Sequence, residues 1–468
     1  MTDFSTYQSP FSWRYGSAEM RRLLSEEYKY RLWRRIWVAL AEVESEAGLV
    51  SPEELADLRR HQDDIDIERI LEIERETRHD VAAAIREYAE KATVGGGKIH
   101  LGATSMDITD NADMLRLREG LALIRKRLAD SLALLADKVD QYADLPTLGF
   151  THLQPAEPTT VGYRLAGYGQ DLLADLGNLQ FVAESIKAKG MKGAVGTGAS
   201  YRAMLKGKSI TAEELDRMVM ERLGVSAALI STQVYPRKYD YLLLTALAGL
   251  AASLAKFSAD LRILQSPTFG EWSEPFGKNQ VGSSAMPFKK NPINAEKIGS
   301  LARYVAGLPT VAWGNASHSY LERTLDDSAN RRVILMEGLL AADEMLITFH
   351  TIISGLAINT AQTGRNLARY APFAATEAVM IAAVKKGANR QEMHELMREE
   401  ALRAWTAIQD GEENPLAERL AANKRLSVYL SPVELARLFK VDDHIGTAPG
   451  RARRLSAAIR KAISKQPL

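Results

Sequence analysis

The 468-residue sequence contains no cysteine. Disulfide bonds, thiolate nucleophiles, iron–sulfur clusters and cysteine-ligated zinc are therefore excluded. An excess of one charge is also lacking, because 60 Lys and Arg residues face 59 Asp and Glu residues, for a formal net charge of +1. Such a chain has no global field that would draw it to nucleic acid or to an acidic membrane surface. Any anionic ligand must be held by local groups of cations.

Several signatures of catalysis are absent as well. There is no HExxH motif, no two histidines stand three or four residues apart, and no GxSxG motif occurs. The stretch 207–209 ends like a phosphate-binding P-loop, but Arg202 occupies the position of the first required glycine. These absences argue against a metal site, a serine hydrolase of the α/β type and a nucleotide triphosphatase.

Long hydrophobic runs are missing too. The longest uncharged apolar stretch, residues 241–255, is 15 residues long, shorter than the ~20 that span a bilayer, and it predicts a buried helix. The first residues lack the basic start and apolar core of a secretory signal, so a cytoplasmic protein without membrane partners is expected. A basic run near the end predicts a solvated helix face, with nucleic-acid binding as the weaker alternative. It consists of Arg451, Arg453, Arg454, Arg460, Lys461 and Lys465.

Helical periodicity is the dominant positive signal. Four stripes of apolar residues advance in alternating steps of three and four, which is typical of long helices packed side by side. They run through residues 117–139, 165–186, 243–264 and 335–356. Period-2 alternation is scarce, so an all-α protein is predicted. Ser51 and Ser431 are each followed by proline and, three residues on, by glutamate, a pattern that predicts capped helix starts.

The chain shows no internal repeat and no Gly/Ser-rich or Pro-rich linker. We expect three packed helical domains, at least the central one built as a bundle. They are an N-terminal domain 1-106, a central long-helix bundle 107-358 and a C-terminal domain 359-468. Long helices with several apolar faces often associate further, so oligomerisation is expected.

Four polar, glycine-rich or proline-rich stretches interrupt the helical pattern and are the candidates for function. They are residues 78–80 with 94–105, 149–155, 190–200, and the long loop 266–292. His79 and His152 lie among polar, loop-forming neighbours and are candidates for acid/base chemistry at neutral pH. In the long loop, successive backbone N–H groups and Lys289 could hold a carboxylate. A solvated surface loop is the alternative interpretation.

Residues 282–292, GSSAMPFKKNP, resemble the GSSxMPxKxNP signature of the fumarase/aspartase superfamily. Members of that superfamily eliminate fumarate or a related product from a substrate. Residues 151–160 and 321–332 resemble adenylosuccinate lyases more specifically, in the form found in animals. The stretches 78–81 and 100–105 and the pair Arg14-Tyr15 fit the same family. The resemblance extends from about residue 7 to about residue 451.

The resemblance implies a β-elimination without metal or organic cofactor, releasing fumarate from adenylosuccinate or from the succinyl-carboxamide ribotide. Ser283 would be the general base and His152 the general acid, while His79 would orient substrate and acid. Lys289 would stabilise charge on a substrate carboxylate. The family binds the nucleotide and its phosphate at positions matching Arg14, Tyr15, Arg323, Ser328 and Arg332. It holds the succinyl carboxylates and neighbouring groups at positions matching Thr104, Ser105, Thr151, Gln233, Lys289 and Asn291. Asp80, Ser284 and Met286 match further substrate-binding positions of the family.

The resemblance also implies a homotetramer in which three chains contribute to each site. Two alternatives remain open. One is another fumarate-releasing enzyme such as argininosuccinate lyase, although its substrate needs no phosphate-binding arginines. The other is a catalytically silent helical scaffold, against which the joint presence of Ser283, His152, His79 and Lys289 argues.

Overall fold

The computed structural model describes residues 5–440 and 444–465. Helices make up most of this part of the chain, as predicted. The secondary-structure elements of the first half are α1 Pro10–Trp13, α2 Ala18–Leu23, α3 Glu26–Glu46, α4 Pro52–Arg60, α5 Ile67–Thr77, α6 Asp80–Lys91, a 3₁₀ turn Gly96–Lys98, α7 Ser105–Gln141, β1 Pro146–Thr151, β2 Gln154–Thr160, α8 Val161–Ser185, α9 Ala199–Met204 and α10 Ala212–Leu223.

The second half continues in the same way. Its elements are α11 Lys238–Gln265, β3 Trp272–Ser273, α12 Ile293–Ser317, α13 Ser328–Gly355, β4 Ala357–Ile358, α14 Thr360–Lys385, α15 Arg390–Gln409, α16 Leu416–Ala422, α17 Lys424–Ser427, α18 Pro432–Leu438 and α19 Ala448–Ile463. The four apolar stripes fall on α7, α8, α11 and α13, and the leucines of each stripe are buried. The prediction of four long helices from these stripes is confirmed.

Two helix starts agree with the capping signals. Ser51 before α4 and Ser431 before α18 each accept a hydrogen bond on their side-chain oxygen from the backbone N–H three residues later. The carboxylate of each glutamate accepts a bond from the backbone N–H of its serine. These reciprocal bonds satisfy backbone donors that have no partner inside the helix.

The chain divides into two compact units. The first contains the described residues up to Leu128 together with Asp175–Ala252 and Ser300–Ile347, and the second contains Ala129–Ala174, Ser253–Gly299 and the described residues from Thr348 onward. Helices α7, α8, α11, α12 and α13 contribute residues to both. The division into three domains stays a prediction.

An aromatic core anchors the first unit. Trp33 and Trp37 on α3 are both buried, with ring centroids 6.3 Å apart in an edge-to-face arrangement. Tyr88 of α6 packs against Trp37, so α3 and α6 share this core. Edge-to-face aromatic pairs add to the gain from burial alone.

The second unit contains a separate core around α14, α15, α16 and α18, formed by buried residues including Val379, Leu396 and Leu420. It also contains an antiparallel hairpin of β1 and β2, although the sequence indicated a loop at residues 149–155. Leu148 of β1 packs with Leu367 and Ala371 of α14, so one face of the hairpin is buried against a helix.

Two helices in the described part of the chain, α11 and α14, are long and apolar enough to cross a membrane by length and composition alone. The core helix of a soluble protein meets the same criteria, and α11 buries Leu243, Leu247 and Leu250 completely. This is weak evidence for a membrane span.

Glu44 on α3 places a carboxyl group in the interior of the first unit. Its side chain is buried, and neither carboxyl oxygen has a hydrogen-bond partner among the described residues. Burial raises the pKa of Glu44 to about 9, against a smaller opposing effect of Lys98. The folded chain therefore keeps a proton on Glu44 at neutral pH.

We predict that Glu44→Gln stabilises the protein at neutral and alkaline pH. The unfolded chain releases this proton near pH 4.5 and the folded chain near pH 9, so this group makes stability fall as pH rises through that window. At pH 7 this group lowers the free energy of unfolding by about 3 kcal/mol relative to its value below pH 4.5. Calorimetric Tm values from pH 5 to 9 should show a gain for Glu44→Gln that grows with pH. Glu46→Gln, on the same helix but exposed, is the control, and an equal gain there would contradict the assignment.

Candidate active site

A pocket of about 1310 Å³ lies within the first unit. Seven of the predicted site residues line it, although they come from four separate parts of the sequence. They are His79, Asp80, Ser105, Gln233, Arg323, Ser328 and Arg332. The start of α6, the start of α7, the segment before α11 and the start of α13 therefore converge on one cavity.

His79 is fixed at the turn between α5 and α6. Arg78 ends α5 in the left-handed conformation with φ 56°, and His79 is the N-cap residue of α6. Its Nδ1 accepts a hydrogen bond from the backbone N–H of Ala82 at 3.2 Å. Because Nδ1 is the acceptor, the neutral ring carries its proton on Nε2, which leaves Nε2 for a ligand.

Two arginines of the pocket are paired with polar side chains. Arg323 donates from Nη1 to Oε1 of Gln233 at 2.9 Å, and Arg332 donates from Nη2 to Oδ2 of Asp80 at 3.3 Å. The Arg332 side chain is 67% exposed. A pair as exposed as this contributes little to stability, so a phosphate can compete for the guanidinium at little cost.

The pocket is not uniformly positive. Seven cationic side chains line it, Arg21, Lys29, Arg78, Arg116, Arg323, Arg331 and Arg332, against six anionic ones, Glu26, Glu74, Asp80, Asp113, Glu322 and Glu337. Sequence reasoning did not assign a role to Arg21, Lys29 or Arg116. Each lies on a helix among other charged residues, where the pattern is the same as that of a solvated face, so no sequence signal separates them.

Ser105 lines the pocket at the start of α7, whereas Thr104 beside it does not. The Thr104 N–H donates to Oδ2 of Asp107 at 3.0 Å. Asp107 is fully buried and also accepts from Lys189 Nζ and from the backbone N–H of Gly193. The turn before α7 and the glycine-rich stretch 190–200 are thus tied to one carboxylate.

His100 belongs to the motif of residues 100–105, as Thr104 and Ser105 do, and it is held in its neutral form. Its Nδ1 accepts from Nε1 of Trp37 at 3.1 Å, and burial lowers the pKa of His100 to about 4. Its backbone has φ 67°, a conformation that is uncommon for a residue with a side chain.

Arg14 and Tyr15 do not line the pocket, but their turn is held beside pocket residues of the same unit. Arg21, which does line it, donates from Nη1 to the carbonyl oxygens of Tyr15 at 3.2 Å and Gly16 at 2.6 Å. The Gly16 N–H donates to Oε2 of Glu344 at 3.0 Å. The turn is thereby fixed on α13.

The remaining predicted residues belong to the second unit and do not line this pocket. They are Thr151, His152, Ser283, Ser284, Met286, Lys289 and Asn291. They fall on two features, the tip of the β1–β2 hairpin and the long loop before α12.

His152 occupies the first position of the two-residue turn between β1 and β2. His152 and Leu153 have φ 55° and 58°, the pattern of a type I′ turn, which favours Asn-Gly rather than side chains of this size. Both residues are exposed. A left-handed histidine at an exposed turn carries backbone strain of the kind that clusters at functional sites.

The base of this hairpin is anchored by Glu271, a fully buried carboxylate. Its Oε2 accepts from Thr147 Oγ1 at 3.1 Å and from Arg164 Nη1 at 3.3 Å. Its Oε1 accepts from Asn366 on α14 at 2.9 Å. The strained turn at His152 is therefore connected to a hairpin base that is held by hydrogen bonds to a buried carboxylate.

Ser283 sits in a tight turn of the long loop. Its Oγ accepts hydrogen bonds from the backbone N–H groups of Ala285 at 3.3 Å and Met286 at 3.0 Å. Two donors on one hydroxyl oxygen stabilise negative charge on it. Gly282 is required here, because a Cβ at this position would lie 1.8 Å from the Lys289 carbonyl oxygen.

The ends of the loop are closed by side chains while its middle is exposed. Asn291 donates to the Gly282 carbonyl at 2.9 Å, and Gln265 donates to the Lys290 carbonyl at 3.1 Å. Glu274 accepts from the N–H of Ala295 in the first turn of α12 at 3.0 Å. Ser284, Met286 and Lys289 are exposed, so they are open to a ligand.

Across the described ranges, no group of three or more His, Asp or Glu side chains is arranged to hold a metal ion.

Comparison with known proteins gives consistent results. A family model described as "Lyase" matches residues 19–307, and one described as "Adenylosuccinate lyase C-terminus" matches residues 372–455. The adenylosuccinate lyase of Saccharomyces cerevisiae is 38% identical over 457 residues, covering 96% of this chain and 94% of that protein. The adenylosuccinate lyase of Archaeoglobus fulgidus is 35% identical over 446 residues, covering 95% and 97%.

Solved structures of similar fold include 3-carboxy-cis,cis-muconate lactonizing enzyme from Pseudomonas putida, with a TM-score of 0.85 and 24% identity over 97% of this chain and 100% of that one. Another is a fumarate lyase from Mesorhizobium sp. BNC1, with a TM-score of 0.82 and 23% identity over 98% and 100%. These two structures establish the all-α fold. The relatives found by sequence show which family within this fold the chain belongs to. The chain belongs to the adenylosuccinate lyase family of the fumarase/aspartase superfamily.

Proposed function

We propose that this lyase eliminates fumarate from adenylosuccinate, giving AMP, and from the succinyl-carboxamide ribotide, giving the free carboxamide ribotide. The observation that carries the proposal is the convergence of Arg323, Ser328 and Arg332 with His79 on one pocket. Arginine forks and a hydroxyl suit a phosphate. Relatives that match 96% of this chain are named adenylosuccinate lyase, which is the proposed activity.

Ser283 is the base in this proposal. Its Oγ removes the proton from the substrate carbon beside a carboxylate, and negative charge builds up on that carboxylate. A serine hydroxyl is a poor base in water. The N–H groups of Ala285 and Met286 support its alkoxide, and the ammonium of Lys289 on the same loop stabilises the charge on substrate.

His152 is the acid. As the carbon–nitrogen bond breaks, its ring protonates the departing nitrogen and the electron pair of the carbanion forms the double bond of fumarate. His79 positions the substrate through Nε2, because its Nδ1 is engaged by Ala82. Thr104, Ser105, Thr151, Gln233 and Asn291 supply N–H and O–H groups for the carboxylates.

The site is completed, we propose, by other copies of the chain in a homotetramer. The pocket lies within the first unit, whereas Ser283 and His152 belong to the second and do not line it. Tyr304, Val311 and Trp313 on α12 are exposed, Trp313 by 56%. Large exposed apolar side chains on one helix favour an interface.

A role in purine biosynthesis in the cytoplasm follows as part of the proposal. Both proposed substrates are purine nucleotides or their precursors, and the cysteine-free composition suits a reducing compartment.

The direct test is incubation of the purified protein with adenylosuccinate, argininosuccinate or malate in separate reactions. We expect fumarate and AMP from adenylosuccinate alone, measured by chromatography. Fumarate from argininosuccinate or malate would retain the elimination chemistry but overturn the phosphate-site assignment. No fumarate from any of them would favour a silent scaffold.

Ser283→Ala and His152→Ala should each lower kcat by roughly 10² to 10⁴, the usual contribution of a general acid or base. Helicity by circular dichroism should stay unchanged, since both residues are on exposed turns. Ser266→Ala is the control, because the Ser266 hydroxyl lies at the start of the same loop, donates to the Ile263 carbonyl and has no proposed role. A loss below tenfold in Ser283→Ala, or an equal loss in Ser266→Ala, would contradict the role of Ser283 as base.

Mixing these two inactive variants tests whether sites are shared. If Ser283 and His152 of one site come from different chains, refolding the variants together creates some sites with both residues intact. Partial recovery of activity is expected, with a tetramer mass by light scattering. A tetramer with no recovery would place both residues in one chain, and a monomer would overturn the shared site.

A further inference from the structure

A cluster of charged side chains lies buried in the first unit, and three of its members, Asp113, Arg116 and Arg331, also line the pocket. Its centre is Arg237, which is 4% exposed and does not line the pocket. Arg237 donates from Nη1 and Nη2 to the two oxygens of Asp110 at 3.0 and 3.1 Å. From Nε it donates to Oδ2 of Asp327 at 2.5 Å. One guanidinium thus joins α7 to the residue just before α13.

Arg331 makes a second junction one turn into α13. It donates from Nε to Oδ2 of Asp240 at 2.7 Å and from Nη2 to the Tyr235 hydroxyl at 2.5 Å. The Tyr235 hydroxyl donates to Oδ1 of Asp240 at 2.5 Å, and the Tyr235 N–H donates to Asp110 at 2.8 Å. The segment before α11, the start of α11 and the start of α13 are therefore joined in one network.

The charges of the cluster are nearly balanced among themselves. Four carboxylates face three guanidiniums; the seven residues are Asp110, Asp113, Asp240, Asp327, Arg116, Arg237 and Arg331. Burial lowers the pKa of Arg237, but the neighbouring Asp110, Tyr235 and Asp240 together outweigh it, so the pKa of Arg237 is raised. The guanidiniums of the cluster are therefore already committed to carboxylates.

Stability alone does not account for such a cluster. Removing this many charges from water is costly, and apolar residues of similar volume often give equal or greater stability than a buried ion pair. What a network of directional bonds supplies is a single geometry. Here that geometry fixes the segment before α11 and the start of α13, and both carry proposed ligands of the substrate.

The segments leading out of the cluster carry these ligands. Gln233 lies two residues before Tyr235, and its N–H donates to the Glu322 carbonyl at 3.3 Å. Its side chain accepts from Arg323. Ser328 directly follows Asp327, and Arg332 directly follows Arg331. A displacement of Asp327 or Arg331 must therefore move Ser328 and Arg332.

We propose that Arg237 is a positioning residue that sets the phosphate-binding geometry of Arg323, Ser328 and Arg332 through Asp327 and Asp110. This inference rests on the proposed function, since it takes the phosphate of the nucleotide to be the group those three residues bind. Arg237 itself does not touch the ligand.

The test is Arg237→Lys in the full-length protein, because a lysine keeps the charge but cannot hold both oxygens of Asp110 and one of Asp327 together. We expect the dissociation constants of AMP and of inorganic phosphate, measured by calorimetry, to rise roughly tenfold, as misplaced ligands bind poorly. The dissociation constant of adenosine, which lacks phosphate, should change less than twofold. KM for adenylosuccinate should rise more than kcat falls.

Arg419→Lys is the control. It weakens another arginine–carboxylate bond, to Glu400 at 2.7 Å, in a part of the second unit that carries no proposed site residue. It should leave the binding of AMP unchanged. Tyr235→Phe is the second variant in case Arg237→Lys does not fold, and it should shift the AMP constant in the same direction by a smaller factor.

A purely structural role predicts a different result. The active fraction and kcat would fall while the constants of the remaining folded protein stayed the same, and this would overturn the proposal. Equal weakening of AMP and adenosine would overturn it too. Because the binding measurements need no turnover, they stay interpretable if the wild-type protein fails to cleave adenylosuccinate, which would refute the proposed function instead.

Discussion

Burial of continuous apolar stripes along the long helices is the constraint on which the rest of the structure depends. A helix satisfies its own backbone hydrogen bonds. The side of each long helix that faces the core is occupied by leucines such as Leu247 and Leu339, which are fully buried. Positions on such a stripe leave little room for exposed polar chemistry. The candidate catalytic and binding groups are accordingly found at helix starts, in the hairpin turn and in the long loop before α12.

The parts of this architecture that local physics dictates could be predicted from the sequence. The stripes of α7, α8, α11 and α13 and the capping boxes at Ser51 and Ser431 depend on neighbours within a turn or two. Helix α12 has no such stripe among the predictions, and it contains Pro309, which weakens a helical pattern. The β1–β2 hairpin depends on packing against α14, more than 200 residues later, which no local pattern records.

The residues of the candidate site also divide into those that the sequence could predict and those that it could not. Motif resemblance found His79, Arg323 and Arg332 because each lies in a stretch with unusual neighbours, and the structure brings these three to one pocket. It could not find Arg237 or Asp110. Their role depends on a meeting of α7 with the segments before α11 and α13, and a charged residue read alone gives no sign of being buried. The network around Arg237 is a tertiary feature, and the Asp and Arg residues that form it have no distinctive sequence pattern.

The turn at His152 and Leu153 has a consequence for how this protein can be improved. Methods that choose residues for backbone fit would place Asn-Gly there, because both positions have positive φ. Such a change would relax the hairpin and at the same time remove the proposed acid. Thermal robustness and turnover therefore compete for the same two side chains, and stabilising substitutions in this unit are better sought in the hairpin's base or along α14 than at its tip.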